Sequence, residues 1–334
     1  LSRSGSFEVA RAISFLQQVD NPWESSIESA LKWRLLIPSI AHFSGIRGWA
    51  ALSISWLGVV VLLAQTTWTI LSSTRDRWLA FTGCVLVASS SAVVVSTGWL
   101  GINDAWYLSG LLTVAFAKNP LWLLGACLIS PWFDEKFLIA LPIAILTRWH
   151  QDIQSNTKDA IFKLISLITF GIIPYVATRL YVTFFYSDPS SASFFKSVLT
   201  GFTTWLPWAH LGWWMAFRLG WIFIGVSFWL ILRVGGLRYL FITLFLFLSS
   251  FLAITILAAD MSRSAAMVLP LLVWGWSNAP SNTVFGNPNM RNIIVLSNLL
   301  IPSMHVTYTK ASLISPLPLE IFRVLKCVGS ACFL

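Results

Sequence analysis

Asp260-Met-Ser-Arg263 sets an acid and a base one helical turn apart. The motif follows the apolar run Leu237 to Ala259 and precedes another, Ser264 to Trp276. Charged residues make up only 10% of this chain and mean hydropathy is +0.75. An ion pair kept at a membrane boundary in such a sequence is a candidate functional element. Further acids stand at Asp104, at Asp134-Glu135 and in the group Asp20, Glu24 and Glu28. Carboxylates facing a polar cleft can serve as general bases or hold a divalent metal. Arginines at an interface can fork onto a phosphate, and Arg263 and Arg34, within Trp33 to Pro38, are placed for that. Each residue also has a plainer reading. The acids could be solvated or cap helices, as Asp104 would ahead of Ala105 to Ala117. Asp260 and Arg263 could form a structural salt bridge, and the arginines could snorkel to headgroups.

These residues need elements to position them, and composition defines what kind. The 334 residues are 57% hydrophobic, with 24 Phe and 19 Trp. Soluble domains carry about 25% charged residues. The apolar runs do not alternate in polarity, so spanning strands are excluded and an all-α, polytopic helical membrane protein is expected. Trp68, Trp78, Trp99, Trp106, Trp149 and Trp208 lie near the ends of these runs, as interfacial belts require. The net charge of +9 arises from basic residues scattered through short loops. That pattern fits positive-inside topology and lipid headgroups, not nucleic acid. Cys84 and Cys127 fall within apolar runs and read as small core residues, and the cysteines show no metal-ligand spacing. His42, His150, His210 and His305 are dispersed and read as interfacial residues.

Residues 1–47 read as an outer-face interfacial segment of amphipathic helices that turns at Asp20-Asn21-Pro22. Residues 48–305 form the transmembrane domain, and 306–334 a partly amphipathic tail. The spanning candidates are 49–71, 79–98, 105–117, 120–131, 137–147, 160–185, 211–232, 237–259, 264–277 and 292–305, about 9–10 membrane-embedded helices. The run 105–147, punctuated by Pro120, Pro131 and Pro142, suggests short or broken helices. Gly235-Gly236 reads as a tight turn. Numbered alternately, one loop set carries Arg75, Arg77, Lys118, Arg148, Lys158, Lys163, Arg233, Arg238 and Arg291. The opposite set carries Lys136, Lys196 and Arg263 with Asp104, Asp134, Glu135, Asp188 and Asp260. The basic set is expected in the cytoplasm and the acidic set outside. Residues 186–210 read as an outer loop with a membrane-lying piece that could lid a groove. Arg179 is a functional candidate within an apolar run, whereas Arg218 is expected to snorkel.

Taken in order, these elements resemble a family. Asp20 with Glu24, Arg34 to Pro38, Asn103-Asp104, Phe133-Asp134-Glu135-Lys136 and Asp260 to Arg263 are similar to the outer-loop motifs of the GT-C class of polytopic glycosyltransferases. The likeness extends to bacterial mannosyltransferase-like and polysaccharide-polymerase-like membrane proteins. The resemblance implies transfer of a sugar from a polyprenyl-phosphate carrier to a glycan or other hydroxyl acceptor, outside a bacterial inner membrane. Asp20 or Glu24 would be the base, and Asp104 would assist or hold a divalent cation. Arg34 and Arg263 would grip the lipid phosphate, supported by Asp134, Glu135 and Asp260. It also implies a membrane helix ahead of Leu1. The resulting expectation is that Asp20, Asp104 and Arg263 line one outward cavity. Two other classes are consistent with the residues: a transporter or flippase for a lipid-linked or anionic solute, and a non-catalytic subunit of a membrane assembly.

Overall fold

The computed structural model describes residues 9–23, 32–152, 158–185, 206–257, 260–307 and 311–314. Among the described residues, two short helices, α1 (Val9–Asp20) and α2 (Leu36–Phe43), precede the long α3 (Gly48–Thr74). Then come α4 (Arg77–Ala88), α5 (Ser91–Gly98), α6 (Asp104–Phe116), α7 (Pro120–Ile129), α8 (Lys136–Asp152) and α9 (Lys158–Phe185). Beyond residue 205 follow α10 (206–217), α11 (Trp221–Leu257), α12 (Met261–Ser264), α13 (Leu269–Asn278) and α14 (Pro288–Leu300). A small antiparallel pair, β1 (Met304–Val306) and β2 (Ala311–Leu313), follows. The spanning run expected over 292–305 therefore ends at Leu300, and its last residues form a strand.

Among the described residues, three helical stretches are long and apolar enough to cross a membrane: Gly48–Thr74, Leu164–Val182 and Leu206–Ile256. A fourth is counted if α4 and α5, bent by 63° at their junction, act together. At 1.5 Å per residue α3 is about 40 Å long, more than a bilayer core of about 30 Å. Of the prolines in the 105–147 region, Pro120 opens α7 and Pro131 lies in the 3₁₀ turn Ser130–Trp132 that closes it, whereas Pro142 does not break its helix: α8 continues through it for 17 residues.

α11 cannot be one rod. Over its 37 residues a straight helix would measure about 55 Å. Yet the Trp221 and Phe251 rings lie 5.8 Å apart, and those of Phe228 and Phe247 5.2 Å. Side chains so far apart in sequence meet only if the chain reverses between them. The reversal is at Gly236, with φ 75 and ψ −174, a conformation that is essentially glycine's alone. α11 is thus a helical hairpin whose tip is the Gly235-Gly236 turn.

The core is centred on α6. Ala105, Leu108, Leu111, Leu112, Val114 and Ala115 are all buried, and the partly exposed residues Trp106, Ser109, Thr113 and Phe116 leave this helix no more than a narrow outward stripe. It packs against α3, α7 and α8. Gly110 permits the closest approach: a Cβ there would overlap Ser130 Oγ, so a larger residue would push away the 3₁₀ turn that precedes Asp134. A separate small core, built from Ala12, Phe15, Val19, Ile37, Ala41, Ala51, Leu52 and Leu100, seats α1 and α2 against α3 at the end where α6 begins.

The Arg218 guanidinium does not snorkel. It is 1% exposed and donates to the carbonyls of Ser89 and Ile301 and to Ser303 Oγ. Those carbonyls follow the C-termini of α4 and α14. Each helix end carries about half a negative charge, so two of them offset one buried guanidinium. Trp99 and Trp106 also turn inward, onto His305 and Phe133, instead of joining an interfacial belt.

The hairpin yields a direct test. Gly236→Val should cost about 1–3 kcal/mol, because a β-branched residue cannot hold that backbone without strain. The measurement is the unfolding midpoint in detergent, and an unchanged midpoint would show the turn to be unstrained.

Candidate functional site

α6 begins at Asp104, and its entry is fixed from α3. Ser55 Oγ donates to Asn103 Oδ1 at 2.8 Å, and Trp106 Nε1 donates to the Ile54 carbonyl at 3.1 Å. Asn103 holds the capping position, so Asp104 is the first helical residue and turns inward. Its carboxylate is 1% exposed, 3.3 Å from Arg263 Nε and 3.9 Å from Lys136 Nζ. The positive end of the helix dipole adds to its stabilisation.

Asp134 lies opposite. Its Oδ1 accepts the backbone N–H of Lys136 at 3.0 Å and fixes the start of α8. Its Oδ2 lies 3.0 Å from Arg34 Nη2 and 3.8 Å from Lys136 Nζ. Lys136 therefore stands between two buried carboxylates. Neighbouring Glu135 faces outward, 3.6 Å from Arg179, whose guanidinium also lies over the Trp33 ring at 4.0 Å.

The opening motif closes the circuit. Arg263 sits in the short helix α12, buried to 2% exposure, and contacts Asp260 as well as Asp104. The other Asp260 oxygen lies 3.1 Å from His305 Nε2. A backbone bridge between Asp260 and Thr307, and the Val306 N–H donating to Ser262 Oγ at 3.0 Å, pin this segment to β1. Arg34, Asp134, Lys136, Asp104, Arg263, Asp260 and His305 thus form one continuous ionic chain.

The electrostatics follow from burial and pairing. Burial alone would raise the Asp260 carboxyl, but Arg263 and His305 outweigh it and hold it well below the ordinary carboxylate range. Asp104 behaves alike: burial raises it, while Arg263, Lys136 and Arg34 bring it below its usual value. Burial would lower Arg263, but Asp104 and Asp260 more than compensate and keep it a permanent cation. Several buried atoms remain without a hydrogen-bond partner despite these ion contacts, among them both Asp104 oxygens, Lys136 Nζ, Arg263 Nε and the Tyr107 hydroxyl.

The chain lies at one end of the bundle. At the opposite end lie Arg148 and Arg291 of the basic loop set: Arg148 donates to the Ala117 carbonyl at 2.7 Å, Trp149 packs on Tyr239 beside the Gly236 turn, and Asp76 and Arg291 line a common cleft. Comparison with protein-family models, curated proteins and solved structures finds no match to this chain. The site therefore stands on its geometry.

Of the residues singled out in the sequence, Arg34, Asp104, Asp134, Asp260 and Arg263 share the ionic chain, with Glu135 on its rim. Asp20 lies apart, exposed at the end of α1 and 3.5 Å from Arg47. Glu24, Glu28 and Asp188 fall outside the described residues, as do residues 186–205 of the expected outer loop 186–210, whose last five residues belong to helix α10. Lys136 and His305 belong to the site although the sequence assigns neither a role in it. Lys136 enters there as the last residue of the Phe133-Asp134-Glu135-Lys136 motif, and His305 as an interfacial residue at the end of a spanning run. Among the described residues no three His, Cys, Asp or Glu side chains converge as a metal would require. Asp104 and Asp134 are shared with arginine and lysine instead. A narrow cleft with room for a single water, bounded by Arg11, Phe15, Gln18, Gly101 and Asn103, opens onto Arg34 beside α1.

Removal of the central cation provides the test. Arg263→Gln leaves Asp104 and Asp260 with less compensation and should cost about 3–5 kcal/mol near neutral pH. In the wild type both acids have folded values below the unfolded value of 3.8, so their stabilisation is present above that pH and is lost as pH falls through the folded values. In the variant burial dominates, and protonation relieves the acids. The gap in thermal midpoint between wild type and Arg263→Gln should therefore narrow as pH falls from about 7 toward about 4. A gap that holds or widens would rule out the assigned charges.

Proposed function

We propose that this protein is a glycosyltransferase acting at the non-cytoplasmic face of a bacterial inner membrane. It would transfer a sugar from a polyprenyl-phosphate-type lipid to a hydroxyl acceptor, as a multi-pass protein of about 9–10 membrane-embedded helices. The observation that carries the reading is the convergence of Arg34, Lys136 and Arg263 on two buried carboxylates at one end of an apolar bundle. A lipid-borne phosphate reaches such a site from the bilayer with its charge at that depth. Guanidinium forks and an ammonium are the side chains that bind phosphate oxygens. Location at a helix-terminal end, and not midway along the bundle, favours surface chemistry over a carrier site.

The charges suggest how the reaction runs. In transfer, the acceptor oxygen bonds to the anomeric carbon as the bond from that carbon to the phosphate oxygen breaks. The departing phosphate keeps the electron pair, and the acceptor's proton passes to a base. Asp104 is the residue positioned for that role. While Arg263, Lys136 and Arg34 surround it, it is a weak base. A bound phosphate would draw those cations away, leaving burial to raise the carboxylate's proton affinity. Substrate binding would thus activate the base, and the same cations would stabilise the leaving group. Entry would require α1 and α2 to shift from the cleft beside Arg34, a movement that would open only their small separate core.

On this reading Asp104→Asn should lower transfer from a polyprenyl-phosphate sugar by about 10²–10⁴-fold with the fold intact, the range general-base catalysis supplies. Asp20→Asn should retain activity. The assay is transfer of radiolabelled sugar in membranes containing the purified protein. Full activity in Asp104→Asn, or loss confined to Asp20→Asn, would remove Asp104 from the role.

A further inference from the structure

Tyr107 lies one helical turn after Asp104 on the same face of α6. Its side chain is fully buried, and its hydroxyl has no hydrogen-bond partner. It is also within electrostatic reach of Asp104, Asp134, Arg263 and Arg34. A buried polar group left unpaired is costly, and native proteins rarely keep one without a reason. Phenylalanine would fill the same space without that cost.

The neighbouring donors differ from it. Arg34, Lys136 and Arg263 are each engaged with a carboxylate, so a ligand must displace an acid to bind them. The Tyr107 hydroxyl is neutral and uncommitted, and needs no such exchange. We propose that Tyr107 is a ligand-contacting residue whose hydroxyl donates to a non-bridging oxygen of the phosphate held by Arg34, Lys136 and Arg263. This inference rests on the phosphate reading of the site and adds a neutral donor to it. Such a donor favours an oxyanion without strengthening the grip on the resident carboxylates, which would otherwise compete.

The test combines stability and binding, with the full chain in nanodiscs. Tyr107→Phe should leave the thermal midpoint of the ligand-free protein unchanged or raise it, since it removes an unpaired polar atom. It should also weaken binding of a long-chain polyprenyl phosphate by about tenfold, the loss expected for one hydrogen bond to a charged group. Affinity for the neutral polyprenol should not change. An equal weakening with inorganic phosphate assigns the contact to the phosphate group itself, and a weakening seen only with the lipid assigns it to the lipid-borne form. A lower midpoint with undiminished binding would make the hydroxyl structural and overturn the proposal. Parallel loss of polyprenol and polyprenyl-phosphate binding would reduce the effect to packing and overturn it too. Wild-type protein that binds neither phosphate probe would defeat the phosphate reading itself. Wild-type binding matched by Tyr107→Phe would defeat only the role of Tyr107.

Discussion

The contact between Arg263 and Asp104 holds the site end of this molecule together. It joins two segments far apart in sequence, the start of α6 and the short helix α12, in a place nearly shut off from water. Buried ions are retained only when partners offset their desolvation, which amounts to several kcal/mol for each ion. Every other residue of the chain extends that compensation. Asp260 takes the far side of Arg263, His305 takes the far side of Asp260, and Lys136 ties Asp104 to Asp134. Strand β1 and the 3₁₀ turn before Asp134 are short, and the charge pairing adds to the backbone bridge and the Gly110 packing that hold them.

The same contact explains why α6 is central. A helix buried over most of its surface takes little of its orientation from an amphipathic stripe. It is oriented instead by its polar N-terminus, where Asn103 and Trp106 engage α3 and Asp104 engages Arg263 of α12. The apolar residues below then pack into whatever space that anchoring defines.

The sequence made the helical class, the turn at Gly235-Gly236 and the short helices after Asn103 legible, because runs of apolar residues and glycine or proline breaks are local signals. It also drew attention to Asp104, Asp134, Asp260, Arg34 and Arg263, since charge is conspicuous in an oily chain. It did not reveal how they pair. Asp260 and Arg263 look self-sufficient at one-turn spacing, yet Arg263 reaches across to Asp104. The sequence assigns neither Lys136 nor His305 to the site: Lys136 enters as the last residue of the Phe133-Asp134-Glu135-Lys136 motif, and a lone histidine at the end of an apolar run reads as interfacial. Arg218 was misjudged because nearness to a helix end suggests escape to water. Here the two neighbouring helix ends supply the negative charge, and no sequence pattern shows which ends will meet.

The pairing of three carboxylates with three cations has a kinetic consequence. Seen from more than a few ångströms away, the cluster is close to neutral, so it projects little field into the medium. A charged ligand would not be drawn to it over distance, as it would to an open basic groove. Its capture would be governed by two-dimensional diffusion in the bilayer and by the frequency with which the cover of α1 and α2 opens. On the phosphate reading, the rate of arrival should accordingly depend little on ionic strength, even though the bound state would be held largely by charge contacts.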